Sequence, residues 1–237
     1  MENKYGVFIN GKHTGRDYRL EWVSPFTITS PEAKRYSVEI PGSDGNIDLT
    51  AFLTGRDIKY GNRNLKFCFC FDGDYTKWDI VAGRIMNDLH GRLCPVITDT
   101  RPDFIYYGTV TVDTEKETLE NSCDIIISVD ADPYKYERYS SLERWVWDTF
   151  CFEDGIIREY KDLEVDGTMM LMIPGRRKKT VPVFVCSTDM TLEYEGQLYK
   201  LPAGRSKILD IQVGMGEHYL SFRGTGTVSV DYRGGSL

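Results

Sequence analysis

Short hydrophobic segments separated by turn residues recur along this 237-residue chain, which predicts a protein built mainly from β-strands. In one clear case, Tyr36, Val38 and Ile40 share one face of a strand, which then ends at a turn of the sequence Pro-Gly-Ser-Asp-Gly. A further strand at 5–9 runs into an Asn10-Gly11 turn. Other strands are predicted at 19–23, 27–31, 66–71, 94–98, 104–112 and 122–129.

The hydrophobic period changes in the middle of the chain. Apolar residues recur every three or four positions from Trp78 to Leu89, which predicts one amphipathic α-helix at about 75–90. Asp74 is suited to the N-cap, and Gly91 to the position just after the helix. We expect the apolar stripe of this helix to pack against a sheet.

The second half of the chain has short strands at regular spacing, which is typical of a β-sandwich or barrel. We expect Gly224-Thr-Gly-Thr to form a hairpin turn there. The polar segment 130–136 contains a proline and fits no regular structure, so it is taken as the end of a first domain. The predicted domains are therefore 1–136 and 137–237. The predicted strands are 165–173, 181–186, 190–194, 197–201, 207–213, 216–222 and 226–232.

Charge and cysteine content narrow the functional classes. The formal net charge is −7, and an acidic chain does not make the contacts that release counterions from nucleic acid. We therefore expect no specific nucleic-acid binding, although DNA can pass close by without being held. The chain contains six cysteines. The first residues lack the apolar core of a signal peptide. No segment is long and apolar enough to span a membrane. We expect free thiols in a reducing cytoplasm.

Motifs for catalysis are missing from the sequence. It contains no nucleophile elbow, no phosphate-binding loop and no zinc motif, so we predict no enzyme activity, no metal and no cofactor. His13 is expected in a solvated turn, and His90 as a cap at the helix end. His218 precedes a strand and has no nucleophile beside it in sequence.

One basic cluster stands out, and it has two interpretations. A run of four cations after Pro-Gly is usually a solvated turn, but it can also contact an acidic partner surface. The cluster consists of Arg176, Arg177, Lys178 and Lys179.

Two rival functions are open at this point. A carbohydrate-binding module or adhesin would use exposed aromatic residues of the C-terminal half to stack on sugar rings. The candidates are Trp145, Trp147, Tyr194 and Tyr199. A cell-wall hydrolase is the second rival, and the missing nucleophile and metal motifs argue against it.

The run Ile40-Pro-Gly-Ser-Asp-Gly-Asn-Ile-Asp-Leu-Thr50 resembles a hallmark of the distal tail proteins (Dit) of siphophages that infect Gram-positive bacteria. Other segments fit the same family in the same order, so that the resemblance covers residues 5 to about 136. They are Pro31–Arg35, Tyr60–Phe67, the helix ending in Asn87–Gly91, Tyr106–Val110 and Ala131–Tyr136.

The resemblance implies a fold and a role. It implies an N-terminal β domain with one helix that closes into a ring, usually a hexamer, and a C-terminal galectin-like or carbohydrate-module-like β-sandwich. Such a ring is the hub of the virion tail tip or baseplate. It joins the tail tube to the tail-associated protein and surrounds the DNA exit channel, with the tape measure and receptor-binding proteins as further partners. Assembly would take place in the host cytoplasm, from the gene of a phage or prophage.

The family motifs also indicate the contact residues of such a ring. The Pro-Gly-Ser-Asp-Gly turn at 41–45 would present backbone groups to the adjacent subunit of the ring. Asn62 and Arg63 would add side-chain contacts to the same subunit. An ordinary hairpin turn and a surface turn are the alternatives. The candidate residues are Pro41, Gly42, Asp44, Gly45, Asp48, Asn62 and Arg63.

Overall fold

The computed structural model of the chain describes residues 5–23, 26–55, 57–71, 73–117, 122–143, 155 and 158–237. The predicted mainly β fold is confirmed. The chain divides into two compact units. Unit 1 holds the described residues up to Asp99, Tyr106–Pro133 and Leu237, and unit 2 holds Thr100–Ile105 and Tyr134–Ser236. The domain bounds 1–136 and 137–237 stay a prediction.

The strands of unit 1 pair antiparallel, and the main sheet has the order β2-β1-β8-β9-β10-β7-β3, with β4 also on β7. Strands β5 and β6 form a separate hairpin. Two short helices, α1 and α2, were not predicted. The elements are β1 (Val7–Ile9), β2 (Lys12–His13), α1 (Thr14–Asp17), β3 (Leu20–Trp22), β4 (Thr27–Ile28), β5 (Ser37–Glu39), β6 (Asn46–Asp48), α2 (Thr50–Thr54), β7 (Arg63–Phe71), α3 (Trp78–Leu89), β8 (Leu93–Thr98), β9 (Phe104–Glu117) and β10 (Ser122–Ala131).

Alternate residues of the central strands build the core of unit 1. Phe67, Ile127 and Val112 lie in register across β7, β10 and β9 and are buried. Ile85 and Leu89 of α3 belong to the same core. The predicted helix and its packing against a sheet are therefore confirmed.

The residues predicted to cap α3 lie at its two ends, but Asp74 and His90 cap it differently from the prediction. Asp74 Oδ1 accepts a hydrogen bond from the Thr76 amide, so it caps a 3-10 turn at 75–77 that precedes the α-helix. Gly91 has a left-handed φ of +72°, which suits glycine. His90 caps by its own amide, which donates to Met86 O, while its ring Nδ1 accepts from the Val112 amide.

The prediction that His13 is solvated is wrong, because its ring is 1% exposed. Nδ1 accepts hydrogen bonds from the amides of Gly15 and Arg16 at the start of α1. The ring proton is therefore on Nε2, which donates to Asp99 Oδ2 at 2.9 Å. The same carboxylate oxygen accepts from the Gly6 amide. His13 thus fixes a turn and a strand end inside unit 1.

Unit 2 is a curled sheet with the order β15-β14-β17-β13-β16, and β12 also pairs with β17. Strand β17 pairs with β14 near Phe222 and with β13 near Val230, so it encloses the core by changing partners along its length. Segment 130–136, predicted to be irregular, contains the end of β10 and the start of a strand. The strands are β11 (Lys135–Glu137), β12 (Leu163–Gly175), β13 (Val183–Cys186), β14 (Met190–Tyr194), β15 (Gln197–Leu201), β16 (Gly204–Lys207), β17 (Gly216–Asp231) and β18 (Gly235–Ser236).

The hairpin turn predicted at 224–227 is wrong, because β17 continues through it as one strand. Gly224 and Gly226 have φ values of +150° and +146°, which lets the strand bend where it changes partners. A Cβ on Gly226 would lie 2.5 Å from Ser187 Oγ. These glycines therefore permit a bend and a close approach within the sheet.

The strand predicted at 207–213 is also wrong, since β16 ends at Lys207. A turn follows, in which the Ile211 amide donates to Ile208 O. Ile211 and Val213 are buried and Leu209 is exposed. Because this turn replaces the strand, Ile208 and Ile211, three positions apart, both lie against the core of unit 2.

A buried carboxylate organises one side of unit 2. Glu137 accepts hydrogen bonds from Arg158, from Arg176 Nε and from the Gly234 amide. Burial raises the pKa of Glu137, but the charges of Arg158 and Arg176 outweigh it and hold this pKa below its ordinary value. The Arg158 guanidinium lies 4.4 Å from the ring centre of Tyr232. The Glu137 side chain of β11 thus joins this strand to Arg176, next to the end of β12, and to Gly234, next to the start of β18.

Replacing Asp99 tests the buried histidine. Asp99→Ala leaves the Gly6 amide and His13 Nε2 without their acceptor, so we expect the free energy of unfolding to fall by about 2 to 3 kcal/mol in urea titrations. Asp113→Ala, at an exposed position of β9, is the matched control and should change it little. Equal losses in the two variants would contradict the role of Asp99.

Replacing Glu137 tests the buried ion cluster. Glu137→Gln leaves two arginines without their counter-charge, so we expect a loss of about 3 to 5 kcal/mol of stability at neutral pH. The folded pKa lies below the ordinary value of 4.5, so this stabilisation is present above pH 4.5 and is lost as the pH falls through the folded pKa.

The pH dependence separates this cluster from simple packing. Wild-type stability should fall more steeply below pH 4.5 than that of Glu137→Gln, measured by denaturant titration at several pH values. Glu164→Gln, at an exposed position of β12, should keep the wild-type slope. A Glu137→Gln protein with an unchanged slope would show that the pH response comes from other groups.

Candidate assembly surfaces

A hairpin and a short helix project from the sheet of unit 1 as one segment, residues 33–55 and 57–60, which we call the arm. Its base is closed by a bridge between Ala33 and Tyr60. The Lys34 amide donates to Lys59 O at 2.8 Å. Main-chain pairing therefore joins the two ends of the arm where it leaves the sheet.

The tip of the arm is a tight turn, as its sequence predicts. Ile40 O accepts a hydrogen bond from the Ser43 amide. Pro41 occupies the second turn position and Gly42, with φ of +84°, the third, which is the residue pattern of a type II turn. A Cβ on Gly42 would meet nothing within 4 Å, so glycine is favoured there by its φ alone.

Helix α2 folds back beside the hairpin. Asp48 Oδ1 accepts from the Thr50 amide, and Thr50 Oγ1 accepts from the Tyr36 amide. The hydrogen bonds from Thr50 lower the pKa of Asp48. Gly55, with φ of +63°, ends the helix. The polar side chains of the arm thus fix its local shape.

The apolar side chains of the arm are exposed. Val38 and Ile47 lie opposite each other on the hairpin and are 48% and 50% exposed. Phe52 of α2 is 85% exposed, and α2 contains no buried residue. The sequence pattern is that of a strand with one covered face, yet the described residues leave this face about half exposed. The remaining exposed apolar side chains are Tyr36, Ile40, Leu53 and Ile58.

The structure brings most of the sequence-predicted contact residues together. Pro41, Gly42, Asp44, Gly45 and Asp48 all lie on the arm and are all exposed. The exposed apolar residues Phe52, Leu53 and Ile58 were missed. The alternation at Tyr36–Ile40 was the available signal, but alternation alone does not say whether the chain or a partner covers the face.

Asn62 and Arg63 lie where β7 begins, just after the arm. Asn62 is exposed and donates through Nδ2 to Asp130 Oδ2 at 3.2 Å. Arg63 is 6% exposed, and its guanidinium lies 5.9 Å from the ring centre of Tyr106. In the single chain, Arg63 is therefore part of the sheet packing of unit 1.

The basic cluster alternates between inward and outward side chains. Arg176 bonds to Glu137, and Lys178 Nζ donates to Tyr136 Oη at 2.6 Å. Arg177 and Lys179 are exposed. The two inward cations fix the turn in place, and the two outward cations face solvent.

The aromatic residues considered for sugar stacking are placed differently. Tyr194 is 5% exposed, and its hydroxyl bonds to His218 Nδ1 at 2.8 Å. Tyr199 packs against the core of unit 2. Trp145 and Trp147 lie outside the described residues. The structure thus places Tyr194 and His218 in a partly buried contact within unit 2.

Other kinds of site are restricted by the described part of the chain. Within it, no group of three or more His, Cys, Asp or Glu side chains is arranged to hold a metal ion. Among the same residues, no helix has both the length and the apolar character needed to cross a bilayer.

Comparison with known proteins establishes the fold. No protein-family model and no curated protein matches this sequence. The crystal structure of SPP1 Dit (gp 19.1), described as a paradigm of the hub adsorption apparatus in phages infecting Gram-positive bacteria, matches with a TM-score of 0.59. The match covers 98% of this chain and 99% of that chain at 14% identity. The chain has a Dit-like fold.

A second solved structure is less similar. A chain from the virion of a native gene transfer agent particle matches 56% of this chain and 98% of its own length, with a TM-score of 0.31 and 13% identity. The Dit-like fold therefore rests on the SPP1 Dit comparison, which extends over both units.

Replacing Gly42 tests the shape of the arm. Gly42→Ala puts a side chain at a left-handed φ without a clash, so we expect a local cost of about 1 kcal/mol. The Ser43 and Leu49 amides, which close the hairpin, should then exchange with deuterium about fivefold faster. The thermal midpoint should fall by about 2 to 4 °C, because a cost of about 1 kcal/mol in the folded state lowers global stability by the same amount, and Ser43→Ala should behave like wild type. Unchanged exchange at both amides would show that the turn does not fix the hairpin.

Proposed function

We propose that this chain is a structural protein of a phage tail, and specifically the hub of the tail tip or baseplate. It closes into a ring, with a hexamer as the expected form. The ring joins the tail tube to the tail-associated adhesion protein and surrounds the DNA exit channel. The Dit-like fold supports this proposal, because SPP1 Dit is described as a hub of an adsorption apparatus and matches along nearly its full length.

The exposed apolar face of the arm is the observation that carries the assembly role. Apolar surface in water costs about 25 cal/mol per Å² relative to burial, and large exposed apolar patches mark interaction sites. Val38, Ile47 and Phe52 lie in the regular backbone of a hairpin and a helix, yet remain exposed. Contact with another subunit would bury them.

The form of the arm favours a ring over a simple dimer. It is a projecting element, and β5 and β6 pair only with each other among the described residues. A projecting element that inserts against a different surface of its neighbour makes a heterologous contact, and such contacts close into rings when the rotation allows it. Pro41, Gly42, Asp44 and Gly45 at the tip would then meet the neighbour through exposed backbone groups.

The other predicted contact residues have supporting roles in this proposal. Asp48 fixes the start of α2, and Asn62 lies exposed just after the arm. Arg63 would keep β7 in place behind that contact. Arg177 and Lys179 would meet an acidic surface of a partner, such as the tail tube protein, the tail-associated protein, the tape measure protein or a receptor-binding protein.

The charge of the chain suits the same role. A net charge of −7 repels DNA, so a ring of such subunits can surround DNA without holding it. Hub formation requires no catalytic site, metal or cofactor. The proposed location is the virion tail tip, after assembly in the cytoplasm of the host bacterium.

A matched pair of substitutions on β6 tests the ring. Ile47→Asp adds a charge to the apolar face of the hairpin, whereas Asn46→Asp adds the same charge to its neighbouring polar position. We expect the wild-type protein and Asn46→Asp to form one discrete oligomer, and Ile47→Asp to remain a single subunit. Light scattering after size exclusion, over a range of concentrations, measures the mass.

Two further readouts make the test decisive. All three proteins should share one thermal midpoint when monomeric, because Ile47 is exposed in the single chain. An oligomer that survives Ile47→Asp would contradict the role of the arm. A wild-type protein that stays monomeric, even with purified tail tube and tail-associated proteins, would contradict the hub.

A further inference from the structure

The exposed charges of the arm are sorted along its length. At its tip (residues 39–46), the charged side chains are two exposed carboxylates, Glu39 and Asp44. At its base (residues 33–35 and 57–60), three exposed cations come together, which are Lys34, Arg35 and Lys59. The arm therefore has an acidic tip and a basic base.

Carboxylates nearer the base already have partners within the chain. Asp48 accepts from the Thr50 amide, and the hydrogen bonds from Thr50, together with the charge of Arg35, lower its pKa. Asp57 Oδ2 lies 4.0 Å from Lys59 Nζ. Among the described residues, no cation forms an ion pair with either carboxylate of the tip. The tip charges are therefore available to cations of another subunit.

A buried cation follows the base in sequence, at the start of β7. Arg63 is 6% exposed, and among the described residues its Nε has no hydrogen-bond partner. Its guanidinium lies 5.9 Å from the ring centre of Tyr106, and no carboxylate in the described part of the chain pairs with it. A buried charge without a counter-charge is strongly unfavourable. A carboxylate supplied from outside the chain would remove this penalty.

The length of the arm matches the spacing of subunits in a ring. Residues 33–42 run from base to tip and span about 30 Å at the usual rise per residue, so the tip cannot pair with its own base. A unit of about 130 residues, such as unit 1, has a diameter of about 35 Å by the usual scaling of size with length. Equivalent points on neighbouring subunits of a ring lie about one such diameter apart. The arm is therefore long enough to reach the base of the next arm.

We propose that the acidic tip of each arm docks on the basic base of the next subunit's arm, where Asp44 pairs with Arg63. Asp44 lies beyond Glu39 and Asn46, the last residue pair of the hairpin, and is therefore the outermost carboxylate. This inference rests on the ring proposed above, and it identifies the surface that receives the arm. The contact joins two unlike surfaces, as a closed ring requires.

The parts of this contact have different roles. The exposed apolar side chains of the arm, such as Val38 and Ile47, would supply most of the affinity, since the contact removes them from water. The charges would set the direction, because exposed ion pairs contribute little affinity, whereas like charges that face each other are penalised. Tip-to-tip and base-to-base contacts are disfavoured in this way. Tip-to-base contacts then repeat around the ring.

Two full-length proteins with reversed charges test the direction of the contact. The tip variant carries Glu39→Lys with Asp44→Lys, and the base variant carries Lys34→Glu with Lys59→Glu. Each variant alone has the same charge at tip and base, so the protein concentration needed for assembly should rise at least tenfold. In an equal mixture every tip meets a base of opposite charge. The mixture should therefore form rings in which the two variants alternate.

Light scattering after size exclusion gives the mass of each assembly, and native mass spectrometry gives its composition. The control carries Glu164→Lys with Asp166→Lys, the same kind of change at exposed positions of β12, and should assemble like wild type. The monomeric tip and base variants should melt within a degree or two of monomeric Ile47→Asp, about the shift expected for surface substitutions.

A double-mutant cycle isolates the pair of Asp44 and Arg63. Asp44→Asn and Arg63→Gln should each weaken assembly about tenfold, and the double variant should weaken it about tenfold as well, because both changes remove the same interaction. The thermal midpoint of each monomer shows whether it is folded. A hundredfold loss in the folded double variant would contradict this pair.

The outcomes separate this contact from the hub. A tip variant that forms the wild-type ring would reject the tip-to-base contact and leave the hub proposal in place. A mixture that stays monomeric, or that forms only pairs, would also reject it, because a tip-to-tip contact yields pairs and no ring. A wild-type protein that forms no ring, even with purified tail tube and tail-associated proteins, would overturn the hub and this contact together.

Discussion

A β-strand in which hydrophobic and polar residues alternate has one apolar face and one polar face. An apolar face that stays in contact with water is unfavourable in proportion to its area. This constraint governs the two cores and the arm. In both cores it is met inside the chain, by rows such as Phe67, Ile127 and Val112 in unit 1. On the arm the described residues leave it unmet. The same physical rule therefore explains why the units fold and why they are expected to associate.

The shape of the arm is fixed by contacts within the arm itself. Main-chain pairing holds its two strands together, and Asp48, Thr50 and three left-handed glycines shape its turns. A segment that keeps its own shape while its apolar side chains stay exposed suits insertion against an unlike surface of another subunit.

The sequence was sufficient for features that depend on local chemistry. The amphipathic period predicted α3, and the Asn10-Gly11 and Pro41-Gly42 pairs predicted turns whose φ values require such residues. Features that depend on distant partners were missed. Gly224 and Gly226 resemble a turn in sequence, but their role is set by the approach of Ser187 to Gly226 and of Met190 to Gly224. The burial of His13 could not be predicted, because its acceptor, Asp99, lies 86 residues away in sequence. The candidate arm residues were predicted by motif, while the exposure of Phe52 needed three-dimensional structure.

The uncovered arm has a consequence for the unassembled subunit. Outside the turn, the hairpin has two outer edges with backbone groups that pair with no other strand among the described residues, next to apolar side chains. Free edges of this kind are templates for irregular aggregation. The net charge of −7 opposes this by colloidal repulsion. Under the proposed function, newly made subunits would therefore face a kinetic competition between ring closure and aggregation. Its outcome would depend on ionic strength and on how fast the subunits are synthesised.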